Sequence, residues 1–96
     1  MTRAIVLHPN DNVATLLADG ESGQDCRLEG EADGTLRLGD TVAFGHKVAL
    51  ADIAAGDKVI KYGAPIGGAT QAIAAGQHVH VHNVTSHYGI AEPEQR

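Results

Sequence analysis

Three short stretches of this chain hold the side chains that could do chemistry. His78-Val79-His80-Val81-His82 alternates strictly, so on a strand the three imidazoles share one face and the valines the other. Same-face neighbours stand about 6.6 Å apart at Cα. That is near enough for two imidazoles to converge on one metal through bonds of about 2.0–2.1 Å. The outer pair is ~13 Å apart on a straight strand, so three ligands to one ion would strain it. The alternative is a polar, half-exposed strand face that holds no ligand.

Gly45-His46-Lys47 follows the apolar run Thr41-Val42-Ala43-Phe44. A glycine at that point suggests a turn that presents the imidazole rather than packing it. Such a histidine can act as a general base, and a neighbouring lysine can hold a carboxylate as a point charge. The plainer reading is an ordinary loop leading into a Val48-Ala49-Leu50 strand. Asn10-Asp11-Asn12 stands where a helix would open, and free N–H groups there form an anion site. Asp11 can instead cap those donors itself. Lys61 and Tyr62 beside Gly63 could reach a ligand, though no spacing demands it. The chain has no phosphate-cradling glycine motif, no paired-carboxylate signature and no nucleophile elbow.

The elements that must position these groups are short. Arg3 to His8 reads as a first strand centred on Ile5-Val6. Val13, Leu16 and Leu17 fall at i, i+3 and i+4, which predicts a helix of about two turns stopped at Gly20. From Glu21 to Asp40 the glycine-punctuated chain suggests a surface hairpin turning at Asp33-Gly34, with no feature that speaks of function. An internal repeat follows: Ala49 to Gly63 superimposes on Ala69 to Asn83 at an offset of 20, with identities at Ala49/Ala69, Ile53/Ile73, Ala54/Ala74, Ala55/Ala75, Gly56/Gly76 and Val59/Val79. In the first copy Lys58, Ile60 and Tyr62 stand where the second has its three histidines, so the scaffold itself does not require imidazoles. Two copies are too few for a solenoid and predict a pseudo-symmetric, mostly β body.

Composition bounds the rest. A chain of 96 residues is one small domain, too small for a cleft enzyme with its own cofactor domain. Seven basic against twelve acidic residues give a net charge of −5, which argues against nucleic acid as a partner. Cys26 is the sole cysteine, so no intrachain disulfide forms. The four apolar residues before His8 are too few for a signal-peptide core, and no run could span a bilayer. The expectation is a soluble cytoplasmic protein without membrane contact.

The segments His8–Leu17 (HPNDNVATLL), Phe44–Gly67 (FGHKVALADIAAGDKVIKYGAPIG) and Ala72–Asn83 (AIAAGQHVHVHN) resemble the N-terminal SAF domain of altronate and galactarate dehydratases. They resemble equally the separate small subunit of related two-subunit lyases, including sulfolactate sulfo-lyase. The resemblance covers about half the chain, and Glu21 to Asp40 adds nothing to it. It implies a β-clip fold, taken here as a mostly β domain over residues 1–84; the short helix near the N-terminus is read from spacing, and the charged, proline-containing stretch over 85–96 reads as a polar tail. The resemblance also implies a large catalytic lyase domain or subunit that completes the active site. The reaction it implies is β-elimination from a hydroxy acid or sugar acid, releasing water in the dehydratases and sulfite in the sulfo-lyase. A divalent metal, Fe(II) or Mn(II), is implied as cofactor, held by this chain or mainly by the partner.

Carried onto this sequence, the resemblance makes His46 the catalytic acid/base and Lys47 the carboxylate anchor. It makes His80 and His82 metal contacts, and Asp11, Asn12 and Asn83 substrate contacts. His78 is left out, because strand geometry lets only two neighbours converge. A rival reading is a stand-alone sugar- or metal-binding module with no catalytic partner. The exposed strand face also makes self-association an open expectation.

Overall fold

The computed structural model describes residues 1–85, all of them in strands, turns and loops. The predicted polar tail from residue 86 onward lies outside the described residues. Among the described residues nine strands form: β1 (Thr2–Val6), β2 (Val13–Leu16), β3 (Asp25–Gly30), β4 (Thr35–Arg37), β5 (Lys47–Ala49), β6 (Lys58–Lys61), β7 (Ala64–Ala69), β8 (His78–Val79) and β9 (Val84–Thr85). One sheet runs β4-β3-β1-β2-β5-β8 and the other β6-β7-β9. All pairings are antiparallel except β1 with β3. The mostly β body agrees with expectation. Among the described residues, no helix is long and apolar enough to cross a membrane.

The expected short helix is absent. Its residues are β2, paired to β1 through Ala4–Leu16 and to β5 through Ala14–Val48. The reason lies in burial. Val13 packs in one core cluster while Ala14 and Leu16 pack in the other, so both faces of β2 are covered. A strand buried on both faces loses its polar/apolar alternation, and a chance i, i+3, i+4 spacing then imitates a helix. The hairpin at Asp33-Gly34 does form: β3 and β4 pair from Asp25–Arg37 to Arg27–Thr35, and Gly34 takes φ 97°. The first strand is two residues shorter than expected at its far end, since β1 stops at Val6.

The repeat folds back on itself as a pseudo-twofold. Ile53 and Ile73, equivalent in the two copies, exchange both backbone hydrogen bonds at 2.7 and 2.8 Å. Around them the copies trade partners: Gly56 N–H donates to Ala69 C=O and Gly76 N–H to Ala49 C=O, each at 2.8 Å. Likewise Ala49 N–H donates to Gln77 C=O and Ala69 N–H to Asp57 C=O. The register obeys the same exchange, since Val48–His78 in β5/β8 corresponds to Gly68–Lys58 in β7/β6. Val59 and Val79, both fully buried, close the shared core with Ile53 and Ile73. The two sheets are therefore joined by the repeat. The strand that carries His78 lies beside the strand that follows His46.

Candidate active site

Pairing of β5 with β8 brings the two histidine stretches together. Lys47 stands opposite Val79 and Val48 opposite His78, so His46, one residue before β5, reaches the end of β8. His46 Nδ1 lies 2.9 Å from His78 Nε2. The His46 and His80 rings stack with centroids 4.5 Å apart, and His78 and His80 at 5.3 Å. One ring nitrogen from each of His46, His78 and His80 falls within 4.8 Å of the others. Ring rotation can close that spacing onto metal–nitrogen bonds of about 2.0–2.1 Å. His82 is not one of these three, but its ring lies tilted against His78 at 5.3 Å.

The straight five-residue strand predicted for 78–82 is not what forms. β8 ends at Val79, and residues 80–83 turn. Asn83 drives the turn: its Oδ1 accepts from His80 N–H at 2.9 Å and its Nδ2 donates to His78 C=O at 2.8 Å. Asn83 is 3% exposed, and both ends of its amide are occupied, so here it positions His78 and His80. Val79 is fully buried while Val81 is 81% exposed, so the valines do not share a face. The turn also changes the ligand geometry. His78, the histidine set aside on strand spacing, sits at the centre of the cluster, because His46 arrives from the turn before β5 to meet it.

A residue with no sequence signal supports this arrangement. Asp40 Oδ2 accepts from the His78 N–H at 2.9 Å and so fixes the start of β8. Asp40 closes the stretch that read as uninformative, and only the fold reveals its contact. Burial, followed by the charges of His46, His82 and His80, pushes the His78 imidazole below its ordinary value, against a smaller upward pull from Asp40. A neutral His78 can accept or donate a hydrogen bond and can ligate a metal.

Lys47 lies beside the histidines in a pocket of about 210 Å³ that it lines with Ile66, Val79, His80, Val81 and Val84. Ile66 reaches this pocket through a β-bulge. Val59 pairs with Gly67 and Ile60 with Pro65, which leaves Ile66 as the extra residue. Bulges of this kind re-aim a side chain.

Asp11 and Asn12 are placed elsewhere, as a clasp on β6 and the turn after it. Asn12 Nδ2 donates to Lys58 C=O at 2.9 Å, and its Oδ1 accepts from Ile60 N–H at 2.8 Å. Asp11 Oδ1 accepts from Gly63 N–H at 2.8 Å. With no helix behind them, the expected helix-start anion site does not exist. Asp11 is 8% exposed, and its Oδ2 is buried with no hydrogen-bond partner. That oxygen is the one unused polar group of the clasp. The hairpin tip it supports is Tyr62-Gly63, where Tyr62 takes φ 57° and Gly63 φ 73°. The pair forms a two-residue turn with both residues left-handed, as in type I′ hairpins.

The sequence of this chain is similar to those of known proteins. Altronate dehydratase of Escherichia coli is 52% identical over 79 residues, which is 82% of this chain but 15% of that protein. The (2R)-sulfolactate sulfo-lyase subunit alpha of Chromohalobacter salexigens is 41% identical over 86 residues, covering 83% of this chain and 89% of that subunit. Galactarate dehydratase (L-threo-forming) of E. coli is 42% identical over 72 residues, 75% of this chain and 13% of that enzyme. The chain thus spans about a seventh of the dehydratases it matches, and most of the sulfo-lyase subunit. The family described as the altronate/galactarate dehydratase SAF domain matches residues 2–87, and the chain belongs to that family.

Proposed function

We propose that this SAF domain supplies part of the active site of a metal-assisted lyase, completed by a larger catalytic domain or subunit. The observation that carries this reading is the convergence of His46, His78 and His80 beside Lys47. The reaction is β-elimination from a hydroxy acid or sugar acid. Removing a proton next to a carboxylate needs a base, charge stabilisation for the enediolate and help for the leaving group. Lys47 holds the acid group as a point charge. An imidazole of the cluster left unligated takes or gives the proton, and His46 is assigned that role.

The residues fit a divalent ion in kind, since three imidazoles form a recognised donor set. They suit Fe(II) better than Mn(II), which prefers carboxylate and carbonyl oxygen. His78 and His80 would hold the ion, with His46 at its edge and His82 outside. When bound, such an ion polarises a carboxylate or hydroxyl oxygen of the substrate. A partner is supported by the alpha-subunit relative, which by its name is one part of an assembly. The apolar rim of the site, with Val81 81% and Ile66 38% exposed, offers that partner a surface to cover.

The test is complementation. The chain would be combined with the catalytic remainder of a dehydratase lacking its own SAF segment, in the presence of Fe(II). Altronate, galactarate and sulfolactate would then be assayed for elimination. Turnover that His46→Ala lowers by about 10²-fold or more, the scale of general acid–base catalysis, supports the reading. A complex that forms but turns over none of the three acids overturns it, and leaves a binding module in its place.

A further inference from the structure

His46 belongs to no strand; a turn presents it. Ala43 C=O accepts from His46 N–H at 3.0 Å, and Gly45, the third of the four residues, takes φ 83°. That bond and that angle fit a type II turn with Phe44 at its second position. The far side of the turn is tied to β2: Gly45 N–H donates to Leu16 C=O and Leu16 N–H to His46 C=O, each at 2.9 Å. Burial does not hold the apex, because Phe44 is 65% exposed. A side chain 25 residues earlier does so, since Asp19 Oδ1 accepts from the Phe44 N–H at 2.8 Å.

The backbone around Asp19 is itself fixed on both sides. Before it, Leu17 N–H donates to Arg3 C=O at 2.8 Å and Thr2 Oγ1 to Ala18 C=O at 3.1 Å. After it, Gly20 exchanges backbone hydrogen bonds with Val42 at 2.8 and 2.9 Å. A Cβ at Gly20 would lie 2.5 Å from Leu38 Cδ1, so only glycine seats there without displacing the core. The carboxylate of Asp19 is thus an ordered acceptor, and a charged acceptor makes a hydrogen bond roughly twice as strong as a neutral one. The ring contact that depends on the turn is short, with His46 Nδ1 and His78 Nε2 at 2.9 Å. His78 has its own anchor, because Asp40 accepts from its N–H.

We propose that Asp19 is a positioning residue for His46, acting through the Phe44 N–H. Asp19 fixes the apex of the turn, and the turn sets His46 against His78 and His80. The part that His46 plays in turnover rests on the lyase reading above; its placement against His78 does not.

The test follows the imidazole nitrogens of the full, metal-free chain by NMR at pH 7.5. Asp19 is exposed, so Asp19→Ala leaves the core intact. It should abolish or broaden the signature of the shared His46–His78 hydrogen bond and leave the His8 ring, bound to Asn10 N–H, unchanged. Asp19→Asn keeps an oxygen acceptor and should retain most of the signature. Phe44→Pro removes the N–H that Asp19 binds but presets the backbone angle that the second position of the turn needs. In that background Asp19→Ala should change nothing. Gln24→Ala deletes another side-chain acceptor of a backbone N–H, at Glu21, and controls for general loosening. An unaltered signature in Asp19→Ala, an equal loss in Gln24→Ala, or a further loss when Asp19→Ala is added to Phe44→Pro would overturn the role. In the complemented enzyme Asp19→Ala should lower kcat about tenfold at unchanged KM, the lower end for losing a hydrogen bond to a charged group. The expected NMR pattern with no turnover even in the unaltered chain would sink the lyase reading alone. Turnover in the unaltered chain with an undiminished kcat in Asp19→Ala would sink the positioning role alone.

Discussion

His46 Nδ1 and His78 Nε2 share one hydrogen bond of 2.9 Å, so one ring donates and the other accepts. A single proton between the two nitrogens satisfies both; two protons leave no acceptor and set like charges against each other. The pair is therefore built for at least one neutral ring. His78 is the ring pressed downward, first by burial and then by three neighbouring imidazoles.

Stability of the metal-free chain follows from that pair. The folded His78 binds its proton less readily than the unfolded chain does, whose ordinary value is near 6.5. The unfolded state thus takes up more protons as pH falls, and stability decreases with it. The contribution is present above about pH 6.5 and is lost progressively as pH drops through the lower folded value. Thermal melts from pH 7.5 downward should show a falling Tm, and His78→Gln should flatten the slope. An unchanged slope in that variant would mean that other groups carry the pH dependence.

Metal affinity should separate the four histidines in a way their sequence spacing does not. The resemblance pairs His80 with His82, whereas the fold groups His80 with His46 and His78. Calorimetry with Fe(II) under anaerobic conditions would decide between them. Replacing His78 or His80 with Ala should cost at least the roughly 10–100-fold seen for outer-shell partners of metal sites, while His82→Ala should cost little. The reverse order would restore the straight-strand reading.

What the sequence reveals and what it hides divide along physical lines. The repeat is legible because identical small and apolar residues recur at a fixed offset, and Ile53 meets Ile73 as symmetry requires. The motif-bearing turn at Gly45-His46 is legible because Gly45 takes φ 83° there. The misread helix is a case of two-sided burial, in which Val13 and Ala14 face different cores. His78 and Asp40 were hidden for another reason. Their roles depend on pairing between β5 and β8 and on a side chain 38 residues away in sequence, and local spacing carries no information about such contacts. Asn83, which the resemblance makes a substrate contact, has its amide taken up by the turn that shapes the cluster.

The two equivalent glycines of the repeat should respond differently to the same change. Both hold left-handed backbone, Gly56 at φ 89° and Gly76 at φ 86°. A Cβ at Gly56 would meet nothing within 4 Å, whereas one at Gly76 would lie 2.1 Å from Arg37 C=O. Gly56→Ala should therefore cost only the conformational penalty of about 1–2 kcal/mol. Gly76→Ala must also push β4 away from the repeat and should cost clearly more, by denaturant unfolding. Equal costs would show that the contact with Arg37 yields freely.

Tyr62 offers a change that should stabilise the fold. Its φ of 57° costs a non-glycine residue about 1–2 kcal/mol, a strain of the kind that gathers at functional positions. Asn is the residue that precedes Gly most readily in a type I′ turn, so Tyr62→Asn should recover most of that cost. It forfeits the contact between the Lys61 ammonium and the ring, about 0.5–1 kcal/mol at an exposed site. The net gain is then about 0.5 kcal/mol, which in a domain of this size raises Tm by roughly 2–4 °C. A higher Tm would show that the backbone strain at Tyr62 outweighs what its ring contributes. A lower Tm would mean that the exposed ring contributes more to the hairpin than its backbone strain removes.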